Sequence, residues 1–120
     1  YLAKAGKTVS SSKLAAAIDV SHRYLLQISA KLRAAEFIRA AHGPSGGLAL
    51  DKAPEEISLY DVILGMEGII KTGEICGVPS DEVSKEMLML KNEYRKVDCM
   101  LERVLKEITL ARILEADLYL

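Results

Sequence analysis

The stretch from Ser11 to Leu50 constrains the fold more than any other part of the chain. Leu14, Ile18, Leu25, Ile28 and Leu32 recur at helical spacings in two short runs, with Val20 in the break between them. Two short helices that share one small apolar core must cross at a steep angle, and Ala15 is small enough to let them approach. Asp19 sits at the turn, and aspartate is one of the few residues besides glycine that tolerates left-handed backbone. Ser10 or Ser11 is placed to cap the first helix and Ser21 the second. The pattern predicts a helix-turn-helix. In that unit the second helix enters the major groove of DNA, where its first residues reach base edges.

The residues at the start of that second helix suit the task. His22, Arg23, Tyr24, Gln27 and, one turn on, Lys31 can hydrogen-bond, stack or carry charge. Gln27 can pair bidentately with adenine, and Arg23 with guanine or phosphate. Tyr24 has two readings, a base or phosphate contact and a core aromatic that anchors the helix. A two-stranded wing is expected next. Phe37 to Ala41 is a short apolar run, followed by Gly43-Pro44-Ser45-Gly46-Gly47 and then Leu48 to Leu50. Around His42, Gly43, Ser45 and Gly46 the backbone carries few large side chains and can come close to a phosphate. The positions of His22 and His42 favour DNA contact over metal binding, the alternative being two solvent-exposed histidines.

Charge divides along the same line. Residues 1–50 hold seven basic and two acidic side chains, a net of +5, and residues 51–120 hold nine and fifteen, a net of −6. The overall charge of −1 hides this split. A basic reading head is what phosphate attraction requires, the bland alternative being lysines and arginines that merely solvate helix faces.

The remainder reads as support for that head. Tyr1 to Ala5 is the tail of an opening helix and Gly6-Lys7-Thr8 a turn. Asp51 to Glu56, with Pro54, is a linker. Ser58 is placed to cap a helix whose stripe Leu59, Val62, Ile63 and Met66 should pack on the head, with Gly68 at its end. Residues 69–80 lack periodicity and read as a loop. From Asp81 to Glu107, Val83, Met87, Leu90, Tyr94, Val97, Leu101, Val104 and Ile108 follow a heptad seam. A helix of that length runs about 40 Å at 1.5 Å per residue, more than a small winged head covers. The seam is therefore expected to meet its own copy in a twofold dimer, the alternative being helices of the same chain. Residues from Thr109 form a short terminal helix or fray. The expected fold is mainly α, a winged helix-turn-helix with a small two-stranded wing and a long dimerisation helix. Its divisions are 1–68, the DNA-binding head; 69–80, a sensor-type loop; and 81–120, the long helix and tail.

A family resemblance rests on an ordered set of residues. They are Val9-Ser10, Leu14-Ala15, Val20 to Gln27, Leu32 to Ala35, Gly43 to Leu50, Glu56 to Ile63, and Ile108-Thr109-Leu110. The chain resembles, over nearly its whole length, the Rrf-two family of bacterial winged-helix transcriptional regulators of the IscR-like and CymR-like kind. The resemblance implies a dimeric transcription factor on a partly palindromic operator. It matches Ser21, Tyr24, Gln27 and the Gly43–Gly47 wing to positions of DNA contact. It also implies a further helical segment ahead of Tyr1, one able to touch DNA or a cofactor. Many members hold an iron–sulfur cluster through three closely spaced cysteines before the long helix, and only Cys76 stands near that place here.

Other chemistry is thin. Cys76 and Cys99 are 23 positions apart, which is neither a disulfide framework nor a metal spacing, so no metal or cofactor is expected and a cluster's ligand set is incomplete. Cys76 is the candidate sensor thiol if exposed and activated. No nucleophile–base–acid constellation appears, and no Gly-Lys-Ser/Thr follows the glycines, so they are not a phosphate loop and the chain is not read as an enzyme. No apolar run is long enough for a membrane span and no signal peptide is visible. The resulting expectation is a cytoplasmic homodimeric repressor of transcription that binds double-stranded DNA. Two alternatives are a redox- or iron–sulfur-responsive member using Cys76, and a winged helix that contacts a metabolic enzyme.

Overall fold

The computed structural model describes residues 1–68 and 84–117. A short α1 (Leu2–Ala5) precedes α2 (Ser11–Ala17) and α3 (His22–Ala34), which form the helix-turn-helix. Serines start both of the latter. Ser10 Oγ accepts from the Lys13 N–H at 3.3 Å, and Ser21 Oγ from the Tyr24 N–H at 3.1 Å. Each hydroxyl satisfies one of the four N–H groups that a helix start leaves unpaired. Between the helices Asp19 takes φ 55°, the left-handed turn expected of it. Leu14 and Ala15 of α2 and Leu25 and Ser29 of α3 are buried as the helices pack. Ser29 is the polar member, and its hydroxyl donates to the Leu26 carbonyl at 3.0 Å, so nothing is left unpaired there.

Two positions differ from the expected pattern. Ile18 carries the apolar spacing but is 40% exposed, because α2 stops at Ala17 and the chain turns away before the side chain faces inward. Glu36 adopts φ 62° in a second left-handed turn, between α3 and the wing, with no glycine or asparagine to announce it.

The wing consists of β1 (Ile38–Ala41) and β2 (Gly47–Leu50), antiparallel, with Ile38 opposite Leu50 and Ala41 opposite Gly47. Val9 extends it on the other side of β2 through a bridge to Leu48, with N–H···O distances of 2.9 and 2.8 Å. This approach needs Gly47, since a Cβ there would lie 2.2 Å from the Val9 carbonyl oxygen. Ile38 and Leu48 join Val9, Leu14, Leu25, Phe37 and Ile57 in the core. The linker contains a 3-10 turn, Pro54–Glu56, in which the Glu56 carboxylate accepts from the Ala53 N–H at 3.2 Å.

α4 (Leu59–Glu67) begins at Ser58 as expected. The Asp61 N–H donates to Ser58 Oγ at 3.1 Å and the Ser58 N–H to the Asp61 carboxylate at 3.0 Å, a reciprocal cap. The helix ends at Gly68 and packs on α3. Gly65 would weaken a helix in isolation, but its bare face admits the Phe37 ring, which a Cβ would meet at 2.9 Å. The expected sensor loop and Val83 lie outside the described residues.

α5 (Lys85–Glu107) is capped by Ser84, whose Oγ accepts from the Met87 N–H at 3.2 Å, and runs for 23 residues. The chain then returns to the head. Ser58 and Thr109 form an isolated bridge, with Leu59 N–H donating to the Ile108 carbonyl at 2.8 Å and Leu110 N–H to the Ile57 carbonyl at 2.9 Å. Ile57 beside it is only 1% exposed. α6 (Leu110–Asp117) packs on the Pro54–Glu56 turn and on α1, so the terminal stretch is a docked helix through Asp117.

Candidate nucleic-acid interface

Helical spacing divides the surface of α3. Leu25 and Ser29 are buried and Ile28 and Leu32 half-buried on one side. Arg23, Gln27, Ala30 and Ala34 lie opposite, at i, i+4, i+7 and i+11, and all are exposed. Tyr24 and Lys31 flank this row, also exposed. Tyr24 is 53% accessible, which settles its two readings against a core role. The alanines leave space on the outward row, so a flat partner can approach the longer side chains at the start of the helix.

The first turn of α3 is tied to the first turn of α2. His22 Nε2 lies 2.9 Å from Ser11 Oγ; which atom donates follows the imidazole tautomer. His22 is exposed as expected, but its ring also has a positioning contact. Sequence reasoning offered Ser11 only as a cap, a place Ser10 takes, and missed its contact with His22. The two residues are eleven apart, and no local pattern joins them.

At the wing tip His42, Gly43, Pro44 and Ser45 are exposed and Gly46 half-buried. The Gly46 N–H donates to the Gly43 carbonyl at 3.0 Å and closes the turn. α2, α3, β1 and β2 contain no acidic residue; Asp19 and Glu36 sit at the turns between elements. Lys13, Arg23, Lys31, Arg33 and Arg39 are all exposed on these elements. Lys31 and Arg33 occupy the last turn of α3, where the helix dipole also favours cations. The head thus combines an exposed polar row, a bare turn and unopposed positive charge.

A second surface lies on α5, and here the heptad seam divides. Met87, Tyr94, Leu101 and Ile108 are half-buried, and α5 packs on α4. Leu90, Val97 and Val104 remain 46%, 49% and 53% exposed, seven residues apart, with Met100 at 58% beside them. Part of the seam therefore serves the chain's own fold and part stands open. On the packed side the Lys106 ammonium lies 4.8 Å from the Tyr60 ring centroid and 2.6 Å from a Glu102 carboxylate oxygen. The Glu102 hydrogen bond leads in holding Lys106 above the ordinary lysine pKa.

Cys99 is exposed on α5, and Cys76 lies outside the described residues. Among the described residues no three His, Cys, Asp or Glu side chains converge as a metal site. Of the three closely spaced cysteines through which cluster-holding members bind, this sequence places only Cys76 ahead of the long helix. Among the described residues no helix is long and apolar enough to cross a membrane.

Comparison with known proteins agrees with this geometry. A model of the Rrf2 family, described as iron-dependent transcriptional regulator, matches residues 1–116. IscR of T. potens is 30% identical with a TM-score of 0.74, the match covering 97% of this chain and 77% of that one. CymR, the global cysteine regulator of B. subtilis, is 25% identical with a TM-score of 0.74, over 93% and 83% of the two chains. A Lactococcus lactis protein provisionally named HTH-type transcriptional regulator YffB is 29% identical over 118 residues, 94% of this chain and 76% of its own.

Proposed function

The chain belongs to the Rrf2 family of transcriptional regulators, and from that premise we propose that it acts as a homodimeric repressor on a partly palindromic operator. It is a DNA-binding regulator of winged-helix fold and not an enzyme. The observation that carries the finer reading is the exposed row on α3, held out by the burial of Leu25 and Ser29 behind it. In this reading Gln27 and Arg23 address base edges. Tyr24 and Lys31 hold the flanking phosphates, and Ser21 adds its hydroxyl while capping the helix. His42, Gly43, Ser45 and Gly46 bring the wing against the neighbouring backbone. His22 contributes at the helix start, oriented by Ser11.

Dimerisation is assigned to the open stripe of α5, Leu90, Val97 and Val104, whose sevenfold spacing Val83 continues in the sequence, with Met87, Tyr94, Leu101 and Ile108 along its inner border. Burying such side chains contributes roughly 1.5–3 kcal/mol each when complete, so a partly exposed stripe of this length favours a second copy. Residues 69–80 are the proposed sensor segment, and the cytoplasm is the proposed compartment. The description of the family as iron-dependent is not carried over, because the cysteine donor set does not fit a cluster.

The test is retardation of duplex DNA from the region upstream of the protein's own gene, at low ionic strength. A saturable shift with two protomers per site supports the reading. Binding that ignores sequence, or none at all, refutes it.

A further inference from the structure

The outer face of the wing sheet carries a hollow beside Arg39, apart from the exposed row of α3. Strand alternation sends Ile38, Ala40, Leu48 and Leu50 towards the core side, where α3 packs, and places Arg39 and Ala49 on the opposite face. The Val9–Leu48 bridge brings Thr8 alongside Ala49. Around this row the α1–Gly6 turn and the segment after β2 enclose a space of about 440 Å³. Small-molecule sites span about 300–1,000 Å³.

The lining has one sign of charge. Lys7, Arg39 and Lys52 border the hollow, and none of the residues that line it is acidic, although Asp51 and Glu55 adjoin them in sequence. Among the described residues no ion pair neutralises these three cations. Lys52, which lines the hollow, has its ammonium 5.5 Å from the Phe37 ring centroid. Three like charges around a common space repel one another, and an anion placed between them reverses that term. Ala49 is buried and small, so the floor is apolar and unobstructed.

We propose that this hollow binds a small oxyanion, the carboxylate of an organic acid or a free phosphate. The Arg39 guanidinium presents a planar fork that matches either group. Lys7 and Lys52 supply point charges and the Thr8 hydroxyl a directional donor. The site is separate from the operator-binding row, since the sheet stands between them.

The experiment is an NMR titration of the full chain, following backbone amides. Sodium phosphate, sodium pyruvate and sodium citrate are added separately, with ionic strength held constant by sodium chloride. Saturable shifts centred on Thr8, Arg39 and Ala49 are expected with phosphate or with a carboxylate, and the arm that saturates identifies which. Arg39→Gln should weaken that binding tenfold or more. Thr8→Val, which keeps the shape and every charge, should weaken it severalfold. Shifts that match chloride alone, fail to saturate, or survive Arg39→Gln overturn the site. So does a result in which Arg39→Gln weakens DNA binding and leaves the anion titrations unchanged, because the patch is then a phosphate contact of the operator complex.

Discussion

Gln27 stands one turn into α3 on the side opposite Leu25, so its amide is free to address a base without disturbing the core. Gln27→Ala is expected to flatten the preference at one operator position by roughly 1–3 kcal/mol, with unchanged thermal stability. Affinities across a panel of single-base operator variants measure this; an unaltered ranking removes Gln27 from the readout. Ser21→Ala acts differently. Losing the cap on the Tyr24 N–H should lower stability by about 1 kcal/mol in urea unfolding and weaken binding to every sequence alike. Features of this kind were legible in the sequence because they are local. Ser21 and Ser58 cap the helices that follow them, and Asp19 turns left-handed where its side-chain type permits. The pairing of Ser11 with His22 was not legible, since it depends on how two helices cross. Nor was the exposure of Ile18, whose spacing looks right until the helix ends beneath it.

Among the elements, α5 shows how far periodicity reaches. The heptad picks out one apolar row but passes over Leu88, Met89, Met100 and the half-buried Leu105, and it cannot say which neighbour covers each residue. The fold half-buries Met87, Tyr94, Leu101 and Ile108 and leaves Leu90, Val97 and Val104 open. This separation decides which variants are informative. Val97→Asp with Val104→Asp should give folded monomers in sedimentation equilibrium, because both positions already face water in the single chain. Leu101→Asp should also damage the α4–α5 contact, so it reports on folding as well as association. A double variant that sediments as an unchanged dimer moves the interface off this stripe. The wing makes the same point in smaller form. Its glycines and alternation were readable, whereas the Val9 bridge, which lets Gly47 and only a residue without Cβ pass, required the third segment to be in place.

At the scale of the molecule, the positive half and the negative half of the chain do different work. In the proposed reading, the excess of seven basic over two acidic side chains in residues 1–50 supplies the phosphate attraction. Log affinity for operator should therefore fall linearly with log salt, with a slope of about −0.9 per phosphate neutralised. Titrations across a series of potassium chloride concentrations give that slope directly. A value near zero points to a head that contacts protein rather than DNA.

The division of labour does not follow the order of the chain, however. Ile57 and Ser58 are joined to Ile108, Thr109 and Leu110 by backbone pairing at the base of the long helix. A scalpel applied after Gly68 would thus not release an independent reading module. It would strip the lid from Ile57, the best-shielded side chain among the described residues, and leave two backbone partners without mates. An autonomous fragment of this regulator has to be stitched from both ends of the polypeptide.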